Sequence, residues 1–296
     1  MKYLHELLVF GAFAFLTACT EDIVIDAEEG EPMIGVEASF TDELKHHEAI
    51  LSYTTKFYHG DEIRMLSGAT VYVTDGVDTV YYCEDSERQG HYFTDLAAGK
   101  KNTVYRLCIE VLDDDGTAQH LFAESLMPDN VDCIDSLVIK HFNGENDTMP
   151  TTFFMDTIEW LYPYFQSLPD PSIIYMPLIS INDSLVTDTL TQRLAIPVGG
   201  YAGYYINGPE MQEANKEIPI AYFRRSNLKD GDRIHAKLYS IPVDYLTFAY
   251  SLIASLGSNP MLGAPANVNT NIQPEGKGVG WFFTASAVSS ETIFRK

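Results

Sequence analysis

Cys19 is the residue whose position says most about chemistry. It closes the run Leu16-Thr17-Ala18-Cys19 and is followed at once by Thr20-Glu21-Asp22. Ahead of it, residues 1–18 carry Lys2 and then an apolar stretch of about ten residues, 7–16. That is short of the roughly 20 residues that span a ~30 Å hydrocarbon core. A basic start, a short apolar run and small residues at its end form the pattern of a secretory signal. An ordinary signal is cut behind an Ala-x-Ala-like site, whereas here a thiol stands where the cut would fall, as in a bacterial lipobox. In that motif the cysteine sulfur takes a diacylglyceryl group, and cleavage leaves the cysteine first in the chain. The competing reading is a plain signal peptide with a cysteine there by chance. We expect 1–18 to be a lipoprotein signal peptide, Cys19 to carry lipid and 19–32 to be an acidic tether holding Glu21, Asp22, Asp26, Glu28, Glu29 and Glu31.

Other chemistry-bearing groups are weaker. Lys45-His46-His47-Glu48 offers metal-ligand types, but adjacent residues on a strand point to opposite faces, so an exposed turn is expected. Asp113-Asp114-Asp115-Gly116 lacks the spaced acids and terminal Glu of a calcium loop and reads as a hairpin turn. Gly276, Gly278 and Gly280 alternate without the GxGxxG spacing of a phosphate cradle; they read as a loop entering a strand. There is no HExxH and no GxSxG, and carboxylates are too abundant for any pair to be singled out for acid/base work. No catalytic residue, metal or cofactor is expected. Trp160, Tyr162, Tyr164 and Phe165 lie in EWLYPYFQSLPDP, read as a Pro-rich loop region. Aromatic rings there can stack on sugar faces or anchor a protein partner, or simply cover a core. Trp160, Tyr162 and Tyr164 are the ligand-binding candidates, ahead of Tyr201, Tyr204 and Tyr205.

Charge narrows the partners. The 296 residues hold 42 acids and 19 Lys or Arg, a net charge of −23. Such a surface repels phosphate backbones, so nucleic acid is excluded as a partner. It also disfavours a basic patch on anionic lipid, leaving acyl chains at Cys19 as the link to a bilayer. Beyond Cys19 there are Cys83, Cys108 and Cys133, an odd number. Cys83 and Cys108 fall in strand-like runs and could face each other, but three small buried apolar side chains are the expectation.

The elements that must hold these residues are mostly strands. Segments 33–40, 49–57, 69–74, 77–84, 90–93, 103–112 and 118–126 alternate apolar and polar residues and are broken by turn residues, above all Asp75-Gly76. Their spacing of about ten residues indicates a sandwich. After a boundary near 127–135, strand-like segments continue at 134–139, 153–154, 173–180, 193–197, 201–206, 219–224, 233–241 and 281–288. Residues 243–256 place Val243, Leu246, Tyr250, Ile253 and Leu256 near helical spacing, with Gly257 as a stop. This predicts one helix packed on a sheet. The expected domains are a β-sandwich over 33–127 and a β-rich domain with that helix over 128–296.

Several short stretches, in order, resemble a known family: VEASFTD (36–42), LS (51–52), SGATVYVTD (67–75), GHY (90–92), YRL (105–107), IDS (134–136), NVNTNI (267–272) and GVGWF (278–282). They are similar to the Bacteroidota lipoproteins of domain-of-unknown-function family 4249, over essentially the whole mature chain. The resemblance departs at Ala38, where the family usually has Gly. It implies an immunoglobulin- or transthyretin-like sandwich in the first half. It also implies an accessory lipoprotein of a TonB-dependent outer-membrane transporter, since the two are often encoded side by side. Only Cys19 can be carried over as a functional residue. In such lipoproteins, acids just behind the acylated cysteine resemble an address for the cell surface. The expectation is therefore a lipid-anchored outer-membrane protein on the cell-surface face, helping a transporter capture a nutrient. The alternatives are a stand-alone binder of glycan or peptide and, more remotely, a hydrolytic enzyme.

Overall fold

The structure, a computed structural model, describes residues 32–55, 62–112, 116–130, 133–141, 158–165, 174–186, 201–203, 206–207, 219–256 and 268–296. The first half supplies β1 (Ile34–Thr41), β2 (Glu48–Tyr53), β3 (Thr70–Thr74), β4 (Thr79–Glu84), β5 (His91–Thr94), β6 (Thr103–Leu112) and β7 (Ala118–Met127). The second half supplies β8 (Ser136–His141), β9 (Ile158–Tyr164), β10 (Ile174–Ile181), β11 (Ser184–Leu185), β12 (Tyr201–Gly203), β13 (Ile206–Asn207), β14 (Ala221–Arg224), β15 (Arg233–Ile241), α1 (Val243–Leu256) and β16 (Gly278–Ile293). Among the described residues the architecture is mostly β with one α-helix, as the periodicity predicts. The expected segments 153–154 and 193–197 lie outside the described residues.

Alternation drives the strands. In β6 and β7 every second side chain is buried, with Leu107, Ile109, Leu121 and Ala123 at 2 % exposure or less. Removing such apolar surface from water is worth about 25 cal/mol per Å². These residues join Val36, Phe40, Leu51, Val71 and Val73 in the first core, to which the distant Ile272 and Phe282 also belong. The β3–β4 turn is longer than Asp75-Gly76 alone suggests. The Asp75 carboxylate accepts from the N–H groups of Val77 and Asp78 at 2.9 and 2.7 Å, so pairing resumes only at Thr79.

Two sheets result. The longer has the order β11-β10-β15-β16-β1-β2-β5-β4-β3-β6-β7, with β13 beside β10; the shorter is β12-β14-β9-β8. β16 joins the halves. Its first half, from Gly278 to Ala285, runs parallel to β1, and Ser286 to Ile293 run antiparallel to β15. Thus hydrogen bonding crosses the 127/128 position, while the apolar cores fall largely on either side of it. We expected a strand only over 281–288; β16 is longer because Gly278 and Gly280 lie inside it. Gly280 has φ +100°, and a Cβ there would sit 2.0 Å from the Val36 carbonyl oxygen. Only glycine admits this approach of β16 to β1. The path then folds back onto itself. Ser125 of β7 accepts from the Thr284 N–H at 2.9 Å, Phe122 and Gln273 exchange backbone bonds, and Asn271 bonds the backbone of Phe282.

In the second half, Leu137, Leu161, Ala221 and Phe223 of the short sheet pack on Tyr175, Ile179, Ile234, Ala236 and Leu238 of the long one. The other face of β10, β15 and β16 is covered by α1. The Tyr245 ring lies 4.2 Å from Phe283 and Phe248 stacks on Trp281 at 5.1 Å.

Candidate functional site

The predicted aromatic residues sit on a strand rather than in a loop. Trp160, Tyr162 and Tyr164 belong to β9, which pairs with β8 along its length and with β14 from Ile158 to Leu161. Pro163 conceals this in sequence, since proline is excluded from central ladders. It is tolerated because it lies past the last β14 pair. Leu161 faces the core, so the residues at 160, 162 and 164 share the opposite face, and all three are half-buried. The register sets Tyr222 beside Trp160, with ring centroids 5.5 Å apart at 58°. Lys140 of β8 brings its ammonium to 5.3 Å from the Tyr162 ring and 5.6 Å from Tyr164, within cation–π range. Lys140 and Tyr222 were not singled out in sequence; only the strand register reveals them. Tyr201 lies on β12 opposite Phe223, and Tyr204 and Tyr205 fall outside the described residues, as does Cys19.

The Lys45–Glu48 segment, which leads into β2, sends its two histidines to different backbone carbonyls. His46 Nδ1 is 2.7 Å from the Thr94 carbonyl oxygen, and His47 Nε2 is 3.0 Å from that of Ala97. His47 departs from the expected exposed turn: it is 1 % exposed, packed 4.5 Å from the Phe40 ring, with Nδ1 unpartnered. Burial pushes its pKa down to about 4, with nearby Lys45 adding to the effect and the Ala97 carbonyl and Glu43 opposing it. Beside it, Glu43 gathers a charged knot from both halves of the chain. Lys45 Nζ and Tyr239 Oη donate to it at 2.9 and 2.6 Å, and Lys237 donates to its other oxygen. Partial burial alone would raise the Glu43 pKa, but the hydrogen bonds from Lys237, Tyr239 and Lys45 hold it at about 2. Among the described residues, no three His, Cys, Asp or Glu side chains are grouped to hold a metal ion.

The cysteines correct another expectation. Cys83, Cys108 and Cys133 all stand as thiols; Cys83 and Cys133 are exposed and Cys108 is half-buried. Cys108 lies opposite Tyr72 and Cys83 pairs one strand further on, so intervening β3 keeps the two apart. Residues 113–115 lie outside the described residues, but Leu112 pairs with Ala118 as a hairpin requires.

A cleft of about 460 Å³ opens where β6 begins and β7 ends, beside the start of α1, lined by Asn102, Glu124, Asp129, Asp244, Asn271 and Trp281 among others. Two of its carboxylates are engaged: Arg106 holds Glu124 at 2.6 Å, and the Asn130 N–H bonds Asp129 at 2.8 Å, lowering the Asp129 pKa.

These features define a mostly β protein whose two halves are spliced by one shared strand, β16. The chain belongs to the family described as Domain of unknown function (DUF4249), whose model matches residues 20–291. No curated protein matches it.

Proposed function

We propose that the protein is a surface-exposed outer-membrane lipoprotein that serves as an accessory, substrate-capturing subunit of a TonB-dependent nutrient transporter. The observation that carries this reading is Leu16-Thr17-Ala18-Cys19 at the end of the short apolar run, backed by the acids that follow it. A diacylglyceryl cysteine supports stable anchoring because it brings more than one chain into the bilayer. No described helix is long and apolar enough to cross a membrane, so acylation supplies the attachment in this proposal. Family membership supports the transporter partner, through the association of such lipoproteins with those transporters. The aromatic face of β9, with Lys140 across it, supports ligand capture. It equally favours the second reading, a stand-alone glycan-binding lipoprotein. The proposal assigns no catalytic step.

Replacing Cys19 by Ala tests the anchor. The variant is expected to leave the membrane fraction and appear as unacylated, soluble protein. A C19A protein that still sediments with outer membranes defeats the lipid-anchor reading.

A further inference from the structure

Strands β4, β3, β6 and β7 lie side by side, with Val71, Val73, Leu107 and Leu121 turned into the first core. The alternate residues therefore face away from it. Register brings Tyr81, Tyr72, Cys108 and Phe122 into one row across the four strands. Tyr81 is 59 % exposed and Phe122 38 %, with Tyr72 half-buried between them. The Tyr72 and Tyr81 ring centroids lie 5.5 Å apart at 45°. The Arg106 guanidinium lies 4.9 Å from the Phe122 ring while donating to Glu124 at 2.6 and 2.9 Å. At about 4.8 Å per strand the row extends ~15 Å.

Its width discriminates between partners. On β3, β6 and β7 the flanking rows are polar: Thr74, Arg106 and Glu124 on one side, Thr70, Glu110 and His120 on the other. A protein interface has a contiguous, charge-poor centre with a polar rim. Here charged side chains border the rings on both sides. A sugar chain has the complementary build: C–H faces that lie on aromatic rings, and hydroxyl edges that reach the donors and acceptors beside them. Charge selects further. Arg106 is committed to Glu124 and the whole chain carries −23, so an anionic polymer is repelled.

We infer that the Tyr81–Tyr72–Phe122 row is a platform for a neutral oligosaccharide, held by stacking and by hydroxyl contacts to the Glu124 and Glu110 carboxylates at its edges. This deepens the capture role proposed above by naming its ligand class, and it rests on that reading. The test needs no transporter, so failure here and failure of the transporter partnership are distinguishable. The detergent-solubilised full chain is run through native gels cast with amylopectin, laminarin, xylan or mannan. At least one polysaccharide is expected to retard it, and Y72A/Y81A and F122A to weaken that retention at least tenfold. Tyr81→Ser alone, at an exposed position, serves as the milder variant, with thermal melts confirming folding. Ile293→Ser, at an exposed position on β16 away from the row, is expected to be retained as the parent is. No retardation in any gel, or retention unchanged by the row variants, overturns the inference.

Discussion

His47 makes the protein acid-sensitive in a definite window. Its ring is 1 % exposed, with Nε2 at the Ala97 carbonyl and Nδ1 unpartnered. A second proton would have to sit on buried Nδ1 against the Phe40 ring, near the Lys45 charge. The folded-state pKa is therefore lowered to about 4 from an ordinary 6.5. The sign follows from proton uptake: between those values the unfolded chain binds a proton that the folded chain refuses. Stability attributable to neutral His47 is complete above pH 6.5, falls as pH drops towards 4, and levels off below it. At 1.36 kcal/mol per decade, the loss is roughly 3 kcal/mol, a large fraction of a typical domain's margin. Urea unfolding of the full chain at pH 7.5, 6, 5 and 4, compared with His47→Gln, isolates this group. Gln retains an amide donor for Ala97 but cannot titrate. The variant is expected to be less stable at pH 7.5 and to lose about 3 kcal/mol less on acidification. Parallel pH curves for the two proteins would refute the reasoning.

Two further predictions rest on the splice between the halves. Gly280→Ala places a Cβ 2.0 Å from the Val36 carbonyl oxygen at a φ of +100°, and should cost about 3–5 kcal/mol in chemical unfolding, whereas Gly276→Ala, with open space around it and only its φ of +79° against it, should cost about 1–2 kcal/mol. Glu43→Gln removes the carboxylate that neutralises Lys45 and Lys237 and should cost about 2–4 kcal/mol at pH 7. Because the Glu43 pKa is lowered to about 2 from 4.5, its contribution is present above pH 4.5 and lost as pH falls towards 2, so the gap between parent and variant should close across that range.

Much of this fold is legible in the chain. β6, β15 and α1 carry uninterrupted periodicity, and their observed bounds coincide with the expected ones. β9 is hidden by Pro163, and the start of β16 by Gly278 and Gly280, because breakers are tolerated where a ladder has ended or where backbones must approach. Strand order is not local information: the parallel contact of β1 with β16 links Ile34 to Gly278, and no periodicity encodes that pairing. The site shows the same division. Residue type points to Trp160, Tyr162 and Tyr164, but Lys140, Tyr222 and the Tyr81–Tyr72–Phe122 row emerge only when register aligns separate strands. His47 was misread because its burial comes from Phe40 and the 94–97 segment, not from its neighbours in sequence.

The central claim is a lipid-anchored capture subunit working with a TonB-dependent transporter. Affinity purification of the tagged full chain from detergent-solubilised outer membranes tests it most directly. The account predicts a TonB-dependent transporter recovered in near-stoichiometric amount with the acylated protein. Recovery of acylated protein with no transporter would contradict it.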